Sequence, residues 1–270
     1  MSRHGQPDQF AMLRSGLSQL FMQQIRTRQR LYALEADMAL SRDGAKPALP
    51  IEFCSQFGED LMIWDLLGRQ RTGFFIEVGA FDGYEFSVTY ALESVGWKGL
   101  LIEAIPERYE QCKARRPHSR VVNAAVSRKG STGTAEFVVC EDQHGGMLSY
   151  MDKGTEHAQG MKKSGVPSRK VQVPLTTLDD LLADHTGPID AAVIDVEGVE
   201  LDVLSGFDLA RWKPRVLILE DNARGRDPAL ANYMKTQPYV DVGWVEVNRV
   251  YIHKDAEDIK QRVIRMNHYS

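Results

Sequence analysis

Gly73-Phe74-Phe75-Ile76-Glu77-Val78-Gly79-Ala80-Phe81-Asp82-Gly83 decides how this chain is read. Its first half is a short apolar run of the kind that forms a strand buried on both faces. Its second half uses small residues, which let the backbone turn tightly and approach a bound ligand. Outward from it, Leu100 to Glu103, Val121 to Val126, Ala191 to Asp195 and Val216 to Glu220 read as further buried parallel strands, with helical patterns between them. That alternation predicts an α/β, Rossmann-like doubly wound sheet with its ligands at the carboxyl ends of the strands. Val240, Val242, Val245 and Val247, followed by Val250-Tyr251-Ile252-His253, predict a closing antiparallel hairpin.

Glu103 ends the second predicted strand, 20 positions beyond Gly83, where a carboxylate can accept hydrogen bonds from ribose hydroxyls. A Glu at a strand end can also cap a helix or hold an ion pair; beside the glycine turn, it favours an adenosine ligand. Asp82 places negative charge where the pyrophosphate of NAD would lie, and only part of the dinucleotide glycine pattern is present. S-adenosylmethionine carries a cationic sulfonium and no phosphate, so an acidic, apolar turn suits it. The alternatives are a non-catalytic S-adenosylmethionine-binding or scaffold protein and a nucleotide-dependent oxidoreductase on a related sheet.

Four blocks then resemble the FkbM-type methyltransferase family: Ser55-Gln56-Phe57-Gly58-Glu59-Asp60, Phe75 to Gly83, Gly96-Trp97-Lys98-Gly99-Leu100-Leu101-Ile102-Glu103, and Ile194-Asp195-Val196-Glu197-Gly198-Val199-Glu200. Leu217-Ile218-Leu219-Glu220 is similar to the family's next strand, and the resemblance covers residues 51 to 253. It implies a class I methyltransferase fold with a mostly parallel seven-stranded sheet, and O-methylation of a small molecule or glycan. It also implies that Glu77 and Gly79 line the methionine end of the cofactor, with Ala80, Asp82 and Gly83 in the same turn. Glu103, with Ala104, would hold the ribose, Asn123-Ala124-Ala125 would border the adenine, and Asp195 would face sulfonium and acceptor. Gln56 is a further candidate for the cofactor site, although Ser55 with Glu59 and Asp60 also reads as a helix start. Trp97 and Tyr84 read as packing residues.

Methyl transfer to a hydroxyl needs the acceptor aligned in line and relieved of its proton, by a general base or by a divalent cation. Asp195 ends one predicted central strand and Glu220-Asp221-Asn222 ends the next, so adjacent strand tips offer oxygen ligands to one crevice. Asp195 and Glu220 are therefore the candidate bases, and Asp195, Glu220 and Asp221 the candidate Mg²⁺ ligands. Glu197 and Glu200 have a plainer reading as caps of the following helix. Among the histidines, His144 beside Gly145-Gly146 is the candidate that could reach the acceptor, whereas His157 and His185 lack such a context.

Residues 1–50 read as a helical extension and linker, and 51–270 as the methyltransferase domain, with a loop inserted near 141–174 that suits a lid. In the extension, Phe10, Leu13, Leu17, Leu20, Gln24, Thr27, Leu31, Leu34 and Met38 follow one another at steps of three and four. That stripe either lies on the domain or pairs with a second copy. Arg26, Arg28 and Arg30 read as a solvated helix face, and Gly44, Pro47 and Pro50 as the linker. A formal net charge of -4 over 270 residues, with 43% hydrophobic residues, speaks against a nucleic-acid binder. Cys54, Cys112 and Cys140 lack disulfide or zinc spacing, and no apolar run approaches the roughly 20 residues of a membrane span. Met1 to Gln6 precede no signal-peptide core, so the expected setting is the cytoplasm, with no membrane partner.

Overall fold

Side chains of the central strands alternate between two faces. Phe75, Leu101, Val193 and Ile218 enter one buried cluster, while Ile76, Leu100, Ile194 and Leu219 enter the other. A sheet buried on both sides needs apolar residues at consecutive positions, and this is why these strands read as unbroken runs.

The computed structural model describes residues 9–141, 145–151, 153–226 and 228–268. In chain order, α1 (Gln9–Arg42) and α2 (Glu59–Leu66) precede β1 (Phe74–Val78), α3 (Tyr90–Ser94), β2 (Lys98–Glu103), α4 (Pro106–Arg115) and β3 (Arg120–Asn123). Next come β4 (Ala125–Val126), β5 (Thr134–Cys140), β6 (Tyr150–Met151), α5 (Glu156–Ser164), β7 (Ser168–Thr176) and α6 (Leu178–Leu181). The chain continues through β8 (Ala191–Ile194), α7 (Glu200–Ser205), α8 (Leu209–Trp212), β9 (Val216–Glu220) and α9 (Pro228–Lys235). It closes with β10 (Tyr239–Val245), β11 (Asn248–His253) and α10 (Glu257–His268).

The larger sheet runs β10-β11-β9-β8-β1-β2-β3. Strands β1, β2, β3, β8 and β9 are parallel; β11 is antiparallel to β9 and to β10, as the hairpin reading expects. The order reverses between β1 and β8, which opens a crevice at their carboxyl ends. Among the described residues no helix is long and apolar enough to cross a membrane.

Two expectations change. The strand expected over Val121 to Val126 breaks at Ala124: Asn123 ends a strand of the large sheet, and Ala125 begins pairing with β7 in a second sheet. The stretch expected to be an irregular insertion instead completes that four-stranded sheet, ordered β4-β7-β5-β6, and carries α5. Its packing is small and local, around Val138, Cys140, Tyr150 and Ala158 and around Ala125, Met151 and Val173.

Helix α1 docks through Ile25, Gln29, Ala36 and Leu40, all buried. Gln29 Nε2 donates to the Ser55 carbonyl at 2.9 Å, Tyr32 bonds Asp65 at 2.5 Å and its ring meets Phe53 edge-on at 5.8 Å. The regularly spaced stripe is not the docking face. Leu13, Leu17, Leu20, Leu31, Leu34 and Met38 are each more than half exposed.

Candidate active site

The turn after β1 sets the geometry. Gly79 has φ +87°, and a Cβ there would lie 1.9 Å from the Asp195 carbonyl oxygen, so only glycine lets the tips of β1 and β8 meet. Phe81, two residues on, has φ +49°, an uncommon conformation for a bulky residue and a mark of constraint in the turn. Its N–H donates to Glu103 Oε2 at 2.8 Å, and the Ile105 N–H donates to Glu103 Oε1 at 2.7 Å. Burial pushes the Glu103 carboxyl up to about 7, against the pull of those two N–H groups.

Two connected cavities lie at this crevice, and Gly79 and Asp195 line both. The smaller, about 120 Å³, is walled by Glu103, Ala104 and Ala124 from the large sheet and by Phe137 and Met151 from the small one. The larger, about 1080 Å³, opens over Gln56, Glu77, His157, Glu220 and Asp221. Met147 and Glu197 border both.

At the floor of the larger cavity, oxygens of Asp195, Glu197 and Glu220 lie within 4.8 Å of one another. Glu220 is buried, whereas Asp195 is reached by water through the cleft. Burial and, for Asp195, repulsion from Glu197 raise the carboxyl pKa of both. Water in the open cleft weakens the burial effect on Asp195, so repulsion sustains its shift. Three carboxyls this close together repel one another, which disfavours full ionisation of the cluster. Glu220 accepts from the Glu197 N–H at 3.2 Å and from Asn222 Nδ2 at 2.8 Å.

Helix α5 supplies the counter-charge. His157 Nδ1 lies 3.0 Å from Glu197 Oε2, and Nε2 lies 3.0 Å from the Leu148 carbonyl. Both partners only accept, so both ring nitrogens must donate, which only the imidazolium can do. Burial opposes that charge, but Glu197 outweighs it and the pKa is raised.

A family model described as the methyltransferase FkbM domain matches residues 77–239. The chain belongs to the FkbM methyltransferase family. As an S-adenosylmethionine-dependent methyltransferase it has the class I sheet that the sequence resemblance implies, with the antiparallel β11 inserted beside β9. No curated protein sequence matches it. Among solved structures, it is similar to the METTL16 MTase domain at 13% identity and a TM-score of 0.41, over 71% of this chain and 64% of that one. It is similar to human methyltransferase 10 domain containing protein at 10% identity and TM-score 0.40, covering 83% and 94%. An O-methyltransferase from Bacillus cereus in complex with SAH aligns at 11% identity and TM-score 0.38, covering 82% and 88%.

The structure gathers Gln56, which precedes the matched FkbM residues, and Glu77, Gly79, Ala80, Glu103, Ala104, Ala124, Asp195 and Glu220 within them around the two cavities. Other predicted residues turn away. Asp82 is ion-paired with Arg115 and accepts from the Tyr84 and Glu85 N–H groups at 2.9 and 2.8 Å, so it builds the turn and borders neither cavity. Gly83 packs on Cys112 and Arg116. Asn123 Nδ2 donates to the Glu103 and Ala104 carbonyls, both at 2.9 Å, and braces the wall from behind. The Glu77 carboxylate accepts from the Val88 N–H at 2.9 Å and from the Ser87 and Thr89 hydroxyls, with buried Arg116 at 3.6 Å.

Asp221 lines the larger cavity, yet its carboxylate accepts from the Gly225 N–H at 3.1 Å and stands outside the acidic cluster. Glu197 takes the place expected for it, because a backbone φ of +56° swings that residue over the strand tips. Glu200 is the first residue of α7, but its carboxylate accepts from the Gly198 N–H at 3.0 Å, ahead of the helix, and the helix itself has no side-chain cap bond. Ser55 accepts from the Gly58 N–H at 3.1 Å and bonds Asp60 at 2.6 Å, the helix-start role, while Gly58 stands directly before α2. His144 lies outside the described residues. His157, which the sequence gave no reason to prefer, is the histidine at the site among the described residues; its only local signal was a place in the first turn of a helix capped by Thr155.

Proposed function

We propose that the chain methylates a hydroxyl group of a small molecule or glycan, and that Asp195 takes the proton. The observation that carries this reading is the Asp195–Glu220–Glu197 cluster beside the Gly79 turn, at the junction of a narrow and a wide cavity. The narrow cavity fits an adenosine, with apolar walls from Ala124, Phe137 and Met151 and the Glu103 carboxylate free to accept from ribose hydroxyls beyond its two N–H bonds. The junction at Gly79 has room for the methionine end because no Cβ stands there, and the neighbouring carboxylates suit a cationic sulfur. When bound, S-adenosylmethionine supplies an electrophilic methyl group.

The chain's own part is to align the acceptor and receive its proton. A hydroxyl held over the cluster gives its proton to Asp195, the strand-tip carboxyl that opens to the cleft, while Glu220 stays enclosed beside it. A base with a pKa raised toward neutrality both ionises and accepts a proton at working pH. Glu59, Glu85, Glu156 and Glu197 along the wide cavity disfavour a polyanionic acceptor such as nucleic acid. The same residues suit a neutral or cationic small-molecule or glycan acceptor without naming it.

A divalent cation held by Asp195, Glu197 and Glu220 is the second reading, favoured by the spacing of their oxygens. Such an ion would neutralise the clustered negative charge. Product mass spectrometry over a panel of hydroxylated sugars and phenols, with and without EDTA, separates the two. Unchanged turnover in EDTA is expected; loss restored by Mg²⁺ would overturn the base assignment. Asp195→Asn should cut kcat by about 10²–10⁴ while leaving S-adenosylhomocysteine affinity within a few-fold. Retained kcat would remove Asp195 from either role, and the absence of any S-adenosylhomocysteine binding by the unaltered protein would remove the cofactor reading.

A further inference from the structure

The outward face of α1 keeps a strict heptad. Leu17, Gln24, Leu31 and Met38 occupy one core position, and Leu13, Leu20, Thr27 and Leu34 the other, over more than three repeats. The residues that dock the helix, Ile25, Gln29, Tyr32, Ala36 and Leu40, occupy the positions opposite. Nothing of the methyltransferase domain therefore covers the seam. Leu13, Leu17, Leu20 and Leu34 are 61–66% exposed, and Phe21 beside them 44%; no residue from 12 to 24 is buried. A half-helix that buries nothing has little reason to persist in water, and an apolar stripe of this length marks a contact surface.

We propose that this face pairs with the same face of a second copy of the chain, as a parallel, in-register two-stranded coiled coil. The charges flanking the seam select the orientation. In a parallel pair each flanking residue meets the one five positions later in the other helix, so Asp37 meets Arg42 of the partner subunit, and Arg30 meets Glu35 of the partner subunit, which also pairs with Arg69 of its own chain at 2.6 Å. Gln23 meets Arg28 of the partner subunit, which adds no like-charge contact. An antiparallel pair would bring Asp37 and Arg42 to different edges. Gln24 and Thr27 form a polar layer in mid-seam. The Thr27 hydroxyl already donates to the Gln23 carbonyl at 2.8 Å, so its donor is satisfied within its own helix, while paired Gln24 amides bond each other and specify register. Both domains lie on the outside of the pair.

Light scattering on the full chain should give about twice its 30.4 kDa. Leu17→Glu with Leu34→Glu should return the mass to one copy without changing S-adenosylhomocysteine affinity or the melting of the domain, since both residues lie away from the docked face. Asp37→Arg should raise the dimer dissociation constant at least tenfold, and adding Arg42→Asp should restore it. Leu13→Cys should crosslink to itself under mild oxidation. A single-copy mass at all concentrations, or a dimer indifferent to Leu17→Glu with Leu34→Glu, overturns the pairing. A dimer that neither crosslinks at position 13 nor responds to the charge exchange overturns the parallel orientation. Binding of a single-copy chain to anionic phospholipid vesicles, lost in the same double variant, would give the stripe to a lipid surface instead.

Discussion

Replacing Gly79 by Ala tests the geometry on which the whole site depends. The new Cβ would stand 1.9 Å from the Asp195 carbonyl oxygen, against 3.4 Å for ordinary contact, so the tips of β1 and β8 must separate by about 1.5 Å. A residue with a side chain at φ +87° adds about 1–2 kcal/mol of backbone strain, and forcing two packed segments apart adds about 1–3 kcal/mol. The sum, about 2–5 kcal/mol, lowers the melting temperature by roughly 4–20 °C at about 2–4 °C per kcal/mol for a domain near this size. Because Gly79 and Asp195 border both cavities, S-adenosylhomocysteine affinity should fall at least tenfold by calorimetry. Gly130→Ala is the control: its φ is +83°, but no atom lies within 4 Å of the added Cβ, so it carries the backbone strain alone and leaves ligand affinity intact. A Gly79→Ala protein that melts with the Gly130→Ala control and binds S-adenosylhomocysteine like the parent would refute the close approach of the two strands.

Other predictions concern the small sheet and the helix it carries. Folding raises the pKa of His157 through Glu197, so their link is fully present below the ordinary histidine value of 6.5 and is lost as pH rises through the raised folded value. Limited proteolysis of the 145–164 region should accelerate across that window, and His157→Gln should abolish the pH dependence; an unchanged profile in the variant would show that the pair does not hold α5. Phe137→Ala removes an aromatic wall of the narrow cavity and should weaken S-adenosylhomocysteine binding by about 1 kcal/mol, roughly five-fold. Since Phe137 is only half-buried in a small satellite cluster, thermal stability should change little; equal affinity in the two proteins would place the adenosine elsewhere.

The central strands were legible because a strand buried on both faces leaves an unmistakable apolar run: Val216–Glu220 is observed with the limits read from sequence, and Phe74–Val78 occupies the apolar first half of the opening stretch. The small sheet was harder to see. Its strand Ser168–Thr176 alternates polar and apolar residues over Lys170 to Val173, with Val171 and Val173 facing inward, but the Gly, Ser and Lys residues that precede it masked that short signal. Asp82 misled for a different reason: its charge argued against pyrophosphate, yet Arg115, 33 positions later, had already claimed it.

Local pattern by itself determined the parallel sheet, the glycine turn at its first strand, the placing of Glu103, Asp195 and Glu220 at strand ends, and the heptad along α1. These follow from periodicity and from what a tight turn requires, both properties of neighbouring residues. Only the tertiary structure decided that Glu197 rather than Asp221 joins Asp195 and Glu220, that His157 supplies the opposing charge, and that α1 docks by the face opposite its leucine stripe. Each depends on where a backbone turns, as at Glu197, or on which distant element arrives first to claim a polar group, and neither is written in the spacing of adjacent side chains.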